Sequence, residues 1–398
     1  MKKTLYLDGR CGRGEPLWIL TAGSRIESMG HEFPPDADKS VSLEGRPLLP
    51  GMINAHTHLY SALAGFLAWP SPRPEDFREI LKQVWWKLDR ALDEESIRAS
   101  ARMGLFEALR HGTTTIVDHH SSPSHVEGSL DILAEEAERM GLKLVLAFES
   151  SDRDGEDVFH ASVQENLRAI ETYSGHESLR AIFGLHASFT LSDESLRSCA
   201  EASDAPFHIH CAESEWDLVD ARERGFDSVI DRLDKLGILR PGTLLAHGIH
   251  LAEGDAERIR EADCRLIHCP QSNEFNGLGR ADVSSLSDDG VLLGLGSDGF
   301  GSGMLKEASL ASAEGARLLG EGNARIASDL FGRNIGRLQA GADADFITLD
   351  EEGGVAQCVS SGKLVFDASE SNSDALQKLG DWARGEASRL GERIGLEG

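Results

Sequence analysis

Residues 51–58 read GMINAHTH, a short apolar run that closes on two histidines, His56 and His58. A run of this length with little alternation suits a strand buried on both faces, the habit of parallel strands covered by helices. The texture recurs in TTTIVD, LKLVLAFES, LRAIFGLH, APFHIH, TLLAHG, CRLIHCP and VLLGLGSD, mostly separated by helical patterns such as SLDILAEEAERMG. Eight strands alternating with helices predict an α/β fold, a (β/α)8 TIM barrel, over residues 50–336.

Outward from the barrel, residues 1–49 are short β-like pieces broken by Gly and Pro, among them KKTLYL, SRIESMG and SVSLEGRPLLP. ADADFITLD and GGVAQCVSSGKLVF repeat that texture near the other end, before a polar loop, DASESNSD, and an amphipathic tail from Asp374 to about Arg393. Residues 1–49 and 337–398 are therefore expected to form one small β-sandwich domain built from both chain ends. A long insertion, Tyr60 to Arg90, follows the first barrel strand and carries Trp69, Trp85 and Trp86. Helix packing is the plainer reading of Trp85 and Trp86.

Of the 398 residues, 40 are Lys or Arg and 67 are Asp or Glu, a formal net charge of −27. A field of that sign repels nucleic acid and anionic membrane surfaces, so neither is expected as a partner. No apolar run approaches the roughly eighteen residues a bilayer span needs. MKKTLYLDGR has a basic pair without an apolar signal core. Six cysteines without CxxC spacing suit free thiols in a reducing compartment, and the chain is expected in the cytoplasm.

Fifteen histidines are the other unusual count. His56 and His58 are two apart on a strand, and a period of two sends both side chains to one face. That pair alone fits polar decoration as well as metal binding. His210 and Asp298 end two further strands, at the face where barrels build active sites. Three imidazoles and one carboxylate suit one Zn2+, with Fe2+ as the alternative, and leave a position for water.

The fourth strand carries no lysine that could bridge two ions, so one metal per chain is expected. Glu213, three residues beyond His210, could turn toward the water, although a solvated glutamate beside Glu215 is the plainer reading of that spacing. His247 on the sixth strand reaches the same place. The GxGxxG match at Gly294–Gly299 lacks the acidic strand end of a dinucleotide site, and zincin, P-loop and cytidine-deaminase patterns are missing.

Together, LPGMINAHTHL, HGTTTIVD, FHIHCAES, LLAHGIHL, HCPQSN and LGLGSDG resemble the amidohydrolase superfamily, in its mononuclear aminohydrolase branch. They keep that family's order across about residues 48–299, and GRLQAGADADFITLD resembles its C-terminal return. ILKQVWWKLDRALDEE, DHHSSP, SDRDG and GLHASFTLSDESL look more narrowly like the SsnA group of aminohydrolases.

The resemblance implies that His56, His58, His210 and Asp298 hold the metal, that Glu213 shuttles a proton and that His247 orients the hydrolytic water. It places His186 and the HCPQSN loop, including Asn273, at the substrate; Trp69 in the insertion would cover it. Cys269 stands where the family often has Asn, which bears on the substrate side and not on the metal. The expected reaction is hydrolytic deamination of a small amino-substituted nitrogen heterocycle, purine- or pterin-like, by hydroxide generated at the ion. Hydrolysis of a cyclic amide or a carbon–halogen bond at the same site, and a catalytically silent binding barrel, are the alternatives. A homodimer is common among such proteins and is expected here.

Overall fold

The computed structural model describes residues 2–11, 14–301, 303–370 and 374–396; part of the polar loop DASESNSD, residues 371–373, lies outside them. Eight short parallel strand positions build the centre. The first three are Met52–Thr57, Thr113–Asp118 and Lys143–Leu146, and the last four are Phe207–Cys211, Leu244–His247, Arg265–His268 and Leu292–Leu295. Nearly every residue in them is buried, which explains their lack of alternation.

The fourth strand differs from its sequence reading. LRAIFGLH was expected as one strand, whereas the chain forms Leu179–Ala181 and then Phe183–Ala187. The first piece pairs with the third strand and the second with the fifth, so the ring consists of a four-stranded and a five-stranded arc. The break has a local cause: Ile182 N donates to Leu146 O, but Phe183 N turns the other way and donates to Pro206 O.

At both seams an asparagine side chain takes the place of ladder bonds. Asn166 Oδ1 accepts from Phe148 N at 2.9 Å and Gly184 N at 3.0 Å, while its Nδ2 donates to Phe148 O at 2.8 Å. Across the ring, Asn323 Oδ1 accepts from Leu295 N at 2.7 Å, and Nδ2 reaches Ile53 O at 2.7 Å and Leu295 O at 2.9 Å. Backbones approach closely here: a Cβ on Gly184 would lie 2.3 Å from Phe148 O, and one on Gly296 2.6 Å from His56 O. Isolated parallel bridges, Ser150 to Leu185 and Thr57 to Asp298, join the arcs at these seams.

Strands Lys3–Cys11, Glu15–Ala22, Arg25–Gly30 and Lys39–Ser42 form one four-stranded sheet; Leu48–Pro50, Phe346–Leu349, Val355–Ser360 and Lys363–Asp367 form another. Tyr6, Ile19, Ile26, Leu48, Phe346 and Val359 share a core between them. Below the barrel, Lys143 Nζ is buried against Asp345, 2.8 Å from each carboxylate oxygen, and lies 3.3 Å from Asp343. Helix Asp374–Ile394 runs beside helix Glu94–Arg110 and is tied there by Arg389 to Asp93 and by Trp382 Nε1 to Glu95 at 3.1 Å.

The insertion after the first strand is mostly helical. It opens with a 3-10 segment, Leu59–Phe66, and later runs through Phe77–Ile80, a π-helical turn at Leu81–Trp85, and Trp86–Ala91. Asp93 then starts the long helix Glu94–Arg110 with a capping box, its side chain accepting from Ser96 N at 3.1 Å. Among the described residues, no helix is long and apolar enough to cross a membrane.

Candidate metal centre and pocket

His56 and His58 sit where the first strand leaves the barrel, and both rings are buried. His58 Nε2 lies 3.1 Å from His210 Nε2 and 2.8 Å from Asp298 Oδ1; His56 Nε2 lies 3.4 Å from the same oxygen. Donor atoms of His56, His210, His247 and Asp298 fall within 4.8 Å of one another, as do those of His56, His58, His119 and His210. The four residues expected to hold a metal thus face one another, with His247 and His119 alongside.

The outer nitrogens are fixed. His58 Nδ1 donates to His119 O at 2.6 Å, His210 Nδ1 donates to His186 O at 2.7 Å, and His56 Nδ1 pairs with His208 Nε2 at 2.9 Å. Binding one ring nitrogen to a backbone or neighbouring group leaves the other free to point inward, as in metal sites. His56 Nε2 and His247 Nε2 are buried without any hydrogen-bond partner. A cation there would satisfy His56 Nε2, and the donor set of imidazoles and one carboxylate suits zinc.

Electrostatics divide the rings: burial opposes a charge on His58, yet the Asp298 and Glu149 carboxylates beside it hold it well above the usual imidazole range. Burial, then the neighbouring His58 and His56 rings, holds His210 well below the usual imidazole range, so it is neutral as a ligand must be. Burial opposes ionisation of Asp298, yet the His56 and His58 rings beside it hold its carboxyl well below the usual range. Ser272 Oγ donates to its other oxygen. Glu213 is the reverse case: burial, and next the charge of Asp298, push its carboxyl well above the ordinary value. Its Oε1 lies 3.6 Å from His247 Nε2.

Two of these side chains hang on strained backbone. His247 has φ +78° and Asp298 φ +54°, in the left-handed region that non-glycine residues avoid. For Asp298, N–H donation to His56 O at 3.0 Å holds the turn.

The pocket beside these groups is walled by Tyr60, Phe77, Trp85, Trp86, Phe189 and Phe300, with Glu149, His186 and Glu213 among its polar lining. His186, expected from the resemblance to face the substrate, lines this pocket. Asn273 does not: it is fully buried behind His247 and accepts from His247 Nδ1 at 2.9 Å. Trp69 lies further out, in a second chamber that also reaches His58 and Asp298, edge-on to Trp85 and against Phe275. Trp85 and Trp86, read from sequence as packing, line the inner pocket. Glu149 was missed altogether; its one signal is its place just beyond the third strand, as His210 and Asp298 end theirs.

Comparison with known proteins fits this geometry. The sequence model of the amidohydrolase family matches residues 48–365. The chain is 30% identical over 285 residues to 5-methylthioadenosine/S-adenosylhomocysteine deaminase 2 of Archaeoglobus fulgidus, covering 70% of this chain and 65% of that one. It is 28% identical over 353 residues to 5'-deoxyadenosine deaminase of Methanothermobacter thermautotrophicus, covering 83% and 80%. In structure it is similar to a zinc-bound adenosine deaminase from Xanthomonas campestris, with a TM-score of 0.83 at 21% identity over 97% of this chain and 98% of that one.

Proposed function

The chain belongs to the amidohydrolase family, and from that premise we propose that it is a zinc-dependent aminohydrolase that removes ammonia from a small amino-substituted nitrogen heterocycle. The observation that carries this reading is the meeting of His56, His58, His210 and Asp298 beside a pocket that Glu213 lines, with the Glu213 carboxyl pushed well above its ordinary value and that of Asp298 held well below. Two carboxyl groups with opposed protonation are what acid and base steps at one carbon require.

His56, His58, His210 and Asp298 would hold the ion. When bound, zinc lowers the pKa of water from about 15.7 toward about 7 and so supplies a nucleophile at neutral pH. Asp298 accepts the proton of the attacking water on its carboxylate. His247, whose Nδ1–H is committed to Asn273, presents Nε2 as an acceptor and orients that water. Glu213 donates its proton to a ring nitrogen, which makes the adjacent carbon electrophilic. After addition, Asp298 passes its proton to the amino group, the hydroxyl of the adduct returns one to Glu213, and ammonia leaves. Trp85, Trp86 and Phe300 wall the site and exclude bulk water.

The deaminase names of the curated relatives support this substrate class. A cytoplasmic location is part of the proposal, supported by six free cysteines, five of them buried. The test is ammonia release by the zinc-loaded protein from a panel of aminopurines, aminopterins and their nucleosides. Release from at least one ring is expected. Ring opening of a member with no ammonia from any would replace deamination by another hydrolysis at the same site.

A further inference from the structure

Glu149 is a buried carboxyl group that the proposed hydrolysis does not use. It is 3% exposed, just past the third strand, and its backbone N–H donates to His120 O at 2.8 Å. It lines the same pocket as His58, His186, Glu213 and Asp298. Oε1 lies 3.2 Å from His58 Nδ1 and 3.5 Å from His119 Nδ1, and Oε2 3.8 Å from His186 Nε2, ion-pair distances at which Oε1 closes no hydrogen bond. His58 Nδ1 is already committed to the carbonyl of His119, so Glu149 is not what holds that ring. The nearest guanidinium, Arg153, is paired with Asp89 at 2.8 Å and stacked on Trp86. Trp86 Nε1 is likewise buried without a partner, and Trp86 lines the same pocket.

An unmatched carboxylate oxygen and an unmatched indole N–H on one aromatic-walled pocket are costly in isolation and are satisfied together by a ligand edge of the opposite pattern. We propose that Glu149 is a specificity residue that accepts hydrogen bonds from a donor-bearing edge of the substrate, remote from the carbon that loses its amino group, with Trp86 Nε1 donating to an acceptor on the same ligand. This rests on the reading of the site as an aminohydrolase pocket. A carboxylate takes two parallel donors, which a ring supplies as an amino–imino edge and a nucleoside as vicinal hydroxyls. The chemistry is shared by these two sources.

Equilibrium binding to the zinc-loaded full chain separates them, read in the Glu213→Gln chain for any ligand from which ammonia is released. Hypoxanthine against guanine tests the ring edge, and inosine against 2′,3′-dideoxyinosine tests the diol. Wild type is expected to bind the donor-bearing member of one pair about tenfold or more tightly, the effect of one buried hydrogen bond left unmade. Glu149→Gln, folded by its melting curve, is expected to bring that ratio within about twofold at unchanged zinc content. Equal affinities within both pairs for wild type, or no binding by any ring, overturn the proposal, as does zinc loss in Glu149→Gln, which would assign Glu149 to the metal site. If the variant does not fold, the wild-type ratios decide. Deamination itself is judged by ammonia release, so its failure is read independently of these ratios.

Discussion

At the residue scale, the two carboxyl groups have separable consequences. Glu213→Gln keeps every proposed ligand and removes a proton donor; zinc content should be unchanged while turnover falls on the order of 100- to 10,000-fold. Asp298→Asn removes a ligand as well as a base, so both turnover and zinc retention on dialysis should fall. Near-normal turnover in either would remove the assigned role. Asn273→Ala frees the His247 ring without touching the pocket wall, and kcat should drop on the order of 100-fold at constant zinc content. The histidines and Asp298 were legible because strand-end position and a spacing of two are properties of sequence. Asn273 was misplaced because nothing in HCPQSN says which side chain faces the ligand and which stands behind a histidine. Glu149 was invisible since one acid after an apolar run is common in any α/β protein.

At the element scale, the eight strands were readable from apolar runs, and the division of the fourth was not. Ile182 and Phe183 are both apolar and both buried, so no change of pattern marks the point where the chain changes partners. The information lies instead in Asn166, a helix residue eighteen positions from Gly184 whose side chain completes the seam. Asn166→Ala would leave the buried N–H groups of Phe148 and Gly184 unmatched, their carbonyls keeping Ser150 N, and should cost about 3 kcal/mol in urea denaturation of the metal-free protein. A loss under about 1 kcal/mol would mean that packing alone holds the seam. Trp85 and Trp86 illustrate the same limit from another side. Their helical spacing suited packing, but the π-helical turn at Leu81–Trp85 shifts the register of the segment, and π turns of this kind favour functional sites.

For the whole molecule, the −27 charge excluded partners but left the interior undetermined. Inside, acids are held selectively. Glu307, on helix Met304–Leu310 and 1% exposed, is pushed up to about 7 by burial, against which Gln271 N donates to it at 3.1 Å. A folded-state value above the ordinary 4.5 means that stability is fully present below about pH 4.5 and is lost as pH rises through 7. Glu307→Gln keeps the acceptor and removes the charge. It should therefore raise stability by on the order of 2 kcal/mol at pH 8 and leave it unchanged near pH 4.5, compared by urea denaturation at both values. Lys143 is the opposite case, a buried cation matched by Asp345 and Asp343. Lys143→Met would strand the Asp345 carboxylate beneath the barrel, Asp343 keeping Arg25 and Arg333, and should cost about 3 to 5 kcal/mol.

The seams give the ring one more property. His56 and His58 belong to the four-stranded arc, whereas His210 and Asp298 belong to the five-stranded arc or the turn that follows it. An ion held by all four would therefore act as a clasp between two half-rings that are otherwise stitched by two asparagine amides and a few backbone bonds beside them. Loading zinc should slow deuterium uptake at the seam amides of Phe148, Gly184 and Leu295 more than at amides inside either arc, a pattern of local opening that mass spectrometry of the apo and loaded protein would map.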